Sequence, residues 1–149
     1  SAMIIIGLAQ SISSIMSDGK IIDTVVHGLA GGLGSVPTLL QAPAMLIANT
    51  IINVFLTSGS GQAAAVMPIL VPLSDLIGVT RQTAVLAFNF GDGFCNYILP
   101  TSTALMGIIS ACNIPYDRWM RFMWKMFAIW LVVGTVMLVI AQLINYGPM

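Results

Sequence analysis

Charge is what this sequence has least of. Of its 149 residues only 7% are charged, five basic and five acidic, against roughly a quarter in an ordinary soluble domain. Glutamate is missing altogether, so every acidic residue is an Asp. With no basic excess there is no patch to neutralise a phosphate backbone, which excludes nucleic-acid binding. Cysteine and histidine are nearly as scarce. Cys95, Cys112 and His27 offer neither a CxxC redox pair nor a zinc ligand set. Both cysteines read as small packing residues.

What fills the chain is apolar. Hydrophobic residues make up 58%, the mean hydropathy is +0.98, and residues 24–74 and 126–149 carry no Asp, Glu, Lys or Arg. Each run exceeds the roughly 20 residues that cross a bilayer. The chain therefore reads as an all-α integral membrane protein. Ser1-Ala2 leads directly into an apolar helical run, with no basic leader or cleavage pattern, which predicts a piece of a longer membrane protein and no secretory signal.

Periodicity and turn residues divide the chain into five segments. Residues 3–16 predict a helix ending at Ser17-Asp18-Gly19, and residues 20–33 an amphipathic helix with Lys20, Asp23 and His27 on its polar side. Residues 38–77 read as two unequal helices interrupted at Ser58-Gly59-Ser60-Gly61-Gln62, with the second resuming at Ala63. A water-facing loop between two spans normally carries charge, and this one has none. Irregular backbone at membrane depth is tolerated only where protein or a watery cavity satisfies it, so 38–77 predicts a re-entrant hairpin. Residues 80–112 are too many for one regular span and too few for two, which predicts a single helix broken between Gly91 and Ser102. The last helix, 116–145, begins with Asp117, Arg118, Arg121 and Lys125 and then runs uncharged. The positive-inside rule puts that start in the cytoplasm, with lipid headgroups as partners of the basic residues. Trp119, Trp124 and Trp130 read as interfacial anchors and lipid-facing packing.

The two polar interruptions carry the candidate chemistry. Each exposes the free amides of one half-helix and the free carbonyls of another, partial charges of opposite sign that suit an anionic group and a cation together. The candidate substrate- and ion-binding residues are Ser58, Gly59, Ser60, Gly61 and Gln62 at the first break. At the second they are Asn89, Gly91, Asp92, Gly93, Asn96, Pro100, Thr101 and Ser102. Ser60 and Thr101 are suited to cap half-helices, and Asn53 adds a further amide. Asp92 is the only formal charge between Arg81 and Asp117. A carboxylate there is costly enough to suggest a purpose, with sodium binding, proton carriage and helix capping as the three readings. A sodium ion would sit near Ser58, Ser60, Asp92 and Thr101.

These residues also carry a resemblance. Ser58-Gly59-Ser60-Gly61-Gln62-Ala63-Ala64, Met67-Pro68-Ile69, Arg81 to Phe88, Phe90-Gly91-Asp92-Gly93-Phe94, Asn96 and Pro100-Thr101-Ser102 resemble the YfcC-like branch of the C4-dicarboxylate anaerobic carrier family, within the ion transporter superfamily of inverted repeats. The resemblance spans nearly the whole chain and departs at Thr57 and Cys95. It implies the C-terminal repeat of a multi-pass secondary active transporter in a bacterial inner membrane. The other half of the site would come from the N-terminal half of the same transporter, with a homodimer as an option. By this resemblance the tip is Ser58 to Gln62 and the unwound stretch Gly91 to Ser102. The solute would be a small anionic or zwitterionic molecule, a C4-dicarboxylate or an amino acid including basic ones, with sodium or a proton as coupling ion and no other cofactor.

Enzyme readings fare worse. Gly91-Asp92 and Tyr116-Asp117 have the look of intramembrane aspartyl protease motifs, but in the reverse order and with Asp117 at the membrane surface. A rhomboid-like serine protease lacks its leading glycine and a histidine near the serine. No enzymatic activity is expected, and a structural membrane subunit is the stronger rival to a carrier.

Overall fold

The computed structural model describes residues 36–55 and 58–147, together with Gly19, His27, Gly28, Gly31 and Gly32. The expected helix 3–16 and most of 20–33 lie outside the described residues; His27 is exposed. The described residues hold five complete helices, α1 Thr38–Phe55, α2 Gly59–Ile77, α3 Arg81–Cys95, α4 Thr103–Ala111 and α5 Tyr116–Leu143.

One face of α1 buries Ala42, Met45, Leu46, Asn49 and Asn53, the spacing of a single helical stripe. Ile47, Ile51, Val54 and Phe55 on the other side are exposed. The stripe meets Ala84, Ala87 and Gly91 of α3, all buried, whose small side chains let the two helices close up. Gly91 is the tightest point, since a Cβ there would lie 2.9 Å from the Asn49 Cβ and 3.1 Å from the Thr50 amide nitrogen.

Helix α2 starts four residues earlier than the sequence predicts, at Gly59 rather than Ala63. Glycine and serine weaken a helix interior, but a first turn has unpaired amides to satisfy. Here the Ser58 Oγ accepts from the Gly61 amide, and the Gln62 amide donates to the Ser58 carbonyl at 2.7 Å. The two arms are therefore nearly equal, 18 and 19 residues. Pro68 and Pro72 remain inside α2. It ends at Gly78, whose φ of 75° is left-handed, the usual place for glycine after a helix. Arg81 and Asp75 pair across this turn at 2.8 Å, exposed to solvent.

Thr80 caps α3 through the Thr83 amide, and its hydroxyl donates to the Tyr146 carbonyl at 2.6 Å, tying the start of α3 to the end of α5. At the far end of α3, Phe94 packs on Trp130 and Gly134, so α3 and α5 run antiparallel. Helix α3 continues through Gly91-Asp92-Gly93 and unwinds only at Asn96, later than the sequence predicts. Gly91 serves close packing there rather than a break, and a Cβ at Gly93 would meet nothing within 4 Å.

The buried apolar core joins α1, α2, α3 and α5 around Met45, Leu46, Leu70, Leu73, Phe88 and Leu138. Helices α1, α2 and α5 are long and apolar enough to cross a membrane. Val132, Val133, Val136, Met137 and Ile140 on α5 are exposed, a surface that suits lipid and not water.

Candidate functional site

The site is built where the start of α2 meets the end of α3. Asp92 lies one turn before α3 ends, and its carboxylate rests against the first residue of α2. A Cβ at Gly59 would fall 2.7 Å from Asp92 Oδ2, so only glycine allows this approach. An acidic group at a helix N-terminus is favoured by the helix dipole.

Two amides hold the other carboxylate oxygen. Asn53 Nδ2 of α1 donates to Asp92 Oδ1 at 2.5 Å, and Asn96 Nδ2 donates to the same oxygen at 3.2 Å. Asn53 Nδ2 also donates to Gln62 Oε1 at 2.8 Å. Gln62 Nε2 in turn donates to the Asn49 carbonyl at 3.1 Å. Asn49, Asn53 and Gln62 are essentially inaccessible, at 1%, 0% and 0% exposure. A polar ladder thus runs from Asp92 through Asn53 to Gln62 and the backbone of Asn49, between α1 and α2. Among the described residues the one ion pair is Asp75 with Arg81, and no cationic side chain pairs with Asp92.

Beside this ladder opens a cleft of about 740 Å³. It is lined by Ser58 at the tip, Gly93 and Asn96 at the end of α3, Thr101 and Ser102 from the unwound segment, and Trp119 from α5. The first turn of α4 also borders it. Ser102 sits at the N-cap of α4 without a side-chain capping bond, which leaves the early amides of that helix to other partners. The unwound segment is held from outside. The Tyr116 hydroxyl donates to the Ile98 carbonyl at 2.6 Å, and Trp119 Nε1 donates to the Tyr97 carbonyl at 2.9 Å. Carbonyls freed by the end of α3 are thereby satisfied by α5.

The structure brings together Ser58, Gly93, Asn96, Thr101 and Ser102 around the cleft, and Gly59, Gln62 and Asp92 directly behind it. Ser60 and Gly61 lie in the capping turn; Ser60 Oγ is 3.4 Å from Ser58 Oγ. Gly91 packs against Asn49, and Pro100 is exposed. Asn89 is exposed and bonds the Val85 carbonyl of its own helix, apart from the rest. Of the four residues expected around sodium, Asp92 bonds Asn53 and Asn96 rather than a serine or threonine hydroxyl. Asn49, Tyr97 and Trp119 escape the sequence reading as site residues. Asn49 had a signal, because Asn49 and Asn53 stand one turn apart in an otherwise apolar helix. Tyr97 and Trp119 had none, since anchoring aromatics look the same.

The model of the C4-dicarboxylate anaerobic carrier family matches residues 1–143. Among individual proteins, the one named "Putative basic amino acid antiporter YfcC", from Escherichia coli (strain K12), is 35% identical over 96% of this chain and 29% of its own length. An uncharacterized protein of Haemophilus influenzae (strain ATCC 51907 / DSM 11121 / KW20 / Rd) is 30% identical over 92% of this chain and 27% of its own. The chain spans less than a third of the length of either relative. No solved structure matches it. A helical chain with membrane-length apolar helices, matched almost end to end by one carrier family, is a member of that family: it belongs to the C4-dicarboxylate anaerobic carriers.

Proposed function

We propose that this chain is the C-terminal repeat of an inverted-repeat secondary carrier in a bacterial inner membrane, exchanging solutes that bear both a carboxylate and a cationic group. In this reading α1 and α2 form a re-entrant hairpin, and α3, residues 96–102 and α4 form one broken helix. The observation that carries it is the placement of Asp92. The carboxylate is held at the hairpin tip by Asn53 and Asn96, next to the cleft, with no cationic side chain of the described residues paired to it.

Depth supports the reading. Phe94 packs at Gly134, roughly 14 Å along α5 from Lys125 at 1.5 Å per residue, which is about half of a 30 Å hydrocarbon core. A carboxylate near that level is costly unless it meets a cation or a hydrated cavity. The solute's carboxylate is served by the first turn of α4, whose dipole favours an anion. Its cationic end turns to Asp92. A dicarboxylate would set a second negative charge beside the Asp92 carboxylate, so a basic amino acid fits the cleft better. The similarity to YfcC points the same way. The N-terminal half of the full-length protein supplies the opposite wall.

Counterflow tests this. Full-length protein in proteoliposomes preloaded with arginine should take up labelled arginine, and Asp92→Asn should lower that exchange tenfold or more, as expected on losing a charge-assisted bond of about 1.5–3 kcal/mol. Exchange driven by a dicarboxylate and not by arginine would overturn the substrate. Absence of any saturable flux would overturn the carrier mechanism and favour a structural subunit.

A further inference from the structure

The cleft beside the tip is lined by two kinds of side chain. Ser58, Asn96, Thr101 and Ser102 are polar, Tyr97, Trp119 and the aliphatic residues of α4 offer mainly ring and hydrocarbon, and none of the described residues along it is charged. Asp92, the one formal charge of the site, reaches the cleft through its bond to Asn96. A single carboxylate neutralises a single cation. A basic amino acid brings two, an α-ammonium in its zwitterionic head and a second cation at the end of its side chain. One of them is left to the uncharged wall.

The two aromatic residues of that wall are fixed beside each other. Trp119 Nε1 donates to the Tyr97 carbonyl at 2.9 Å, which uses the only donor an indole has. What Trp119 offers a solute is therefore its ring. Tyr97 is half exposed, and its ring packs edge-on against Trp130 with centroids 5.4 Å apart. Trp130 is braced in turn by Phe94. A cation over an aromatic face is attracted by the ring quadrupole. A guanidinium is planar and weakly hydrated and stacks on such a face, whereas a primary ammonium is compact and strongly hydrated.

We propose that Tyr97 and Trp119 form the side-chain subsite of the carrier and select a guanidinium over a primary ammonium. The head of the solute spans from the first turn of α4 to Asp92, with its α-ammonium as the cationic end that meets the carboxylate, and the side chain runs along the aromatic wall. The subsite deepens the exchange reading, on which it rests, by naming the two residues that tell arginine from lysine.

The test uses full-length protein in proteoliposomes preloaded with arginine. Uptake of labelled arginine is inhibited with external unlabelled arginine or lysine, and the ratio of the two half-inhibitory concentrations is read, which does not depend on how much protein is active. In the wild type lysine should be needed at roughly fivefold the arginine concentration or more. Tyr97→Leu and Trp119→Leu should each lower that ratio by half or more. Tyr97→Phe and Trp119→Phe, which keep a ring and lose only the hydroxyl or the indole N–H, should retain it. Lysine as effective as arginine in the wild type overturns the subsite, a comparison that needs no variant to fold. So does a ratio unchanged in either leucine variant, or one lost as fully in Trp119→Phe as in Trp119→Leu, which would leave Trp119 only its bond to the Tyr97 carbonyl. In each of these cases arginine exchange continues and the carrier reading stands. Absence of exchange in the wild type removes the carrier reading and the subsite together.

Discussion

Gly59 and Asp92 depend on each other at the closest contact of the site. An alanine at 59 would place its methyl carbon 2.7 Å from Asp92 Oδ2, and the carboxylate would have to swing off Asn53. Gly59→Ala should therefore reduce arginine counterflow several-fold, whereas Gly107→Ala on α4, where a Cβ meets nothing within 4 Å, should leave it near the wild-type rate. Equal rates in the two variants would show that the carboxylate's position at the tip is immaterial. Asp92 itself was legible in the sequence, as a lone charge in an apolar stretch. Its partners were only partly so. A sequence shows that Asn53 and Gln62 are polar residues in an uncharged, largely apolar run, but not that one amide nitrogen is shared between Gln62 and Asp92, because the choice is made by packing between three helices.

Among the elements, the pair α1 and α3 carries the most exacting fit. Gly91→Ala would bring its Cβ within 2.9 Å of the Asn49 Cβ and 3.1 Å of backbone, neither of which can move alone. The variant should lose about 1–3 kcal/mol of stability, visible as a lowered unfolding midpoint of the full-length protein. The turn after α2 is strained by any Cβ at φ 75°, and Gly78→Ala should cost about 1–2 kcal/mol in the same measurement. Helix existence was legible throughout 38–143, since apolar runs and Gly, Ser and Pro clusters bound every element. The boundaries were less so. Gly59 to Gln62 and Gly91 to Gly93 look like breaks because glycine disfavours helix interiors, yet the first run is a capped opening turn, and in the second Gly91 packs on α1 while Gly93 faces the cleft. Local propensity gave way to a cap in the first place and to tertiary contact at Gly91 in the second. The unwound residues 96–102 were found, but not their fastening to α5. Tyr116→Phe should free the Ile98 carbonyl at a cost of about 1 kcal/mol; faster hydrogen exchange at amides 96–102 would register it, and an unchanged pattern would show the bond to be dispensable.

At the scale of the whole molecule, orientation is open to a direct check with the native thiols. Cys112 is exposed just before the basic start of α5, and Cys95 is buried. With the basic start in the cytoplasm, a membrane-impermeant maleimide should label Cys112 in inside-out vesicles and not in intact cells, and should label Cys95 in neither, in full-length protein that keeps only these two cysteines. Labelling of Cys112 from outside would invert the assigned topology.

The bonds from Tyr116 and Trp119 to the carbonyls of Ile98 and Tyr97 fasten the unwound segment to the longest helix. Helices α1 and α3 are joined differently. Ala42, Met45 and Leu46 close an apolar seam with Ala84 and Ala87, and Asn53 on Asp92 and the Cys95 thiol on the Thr50 carbonyl add polar links at one end of it. A ligand that takes Asp92 from Asn53 would undo one of those links and leave the seam itself shut.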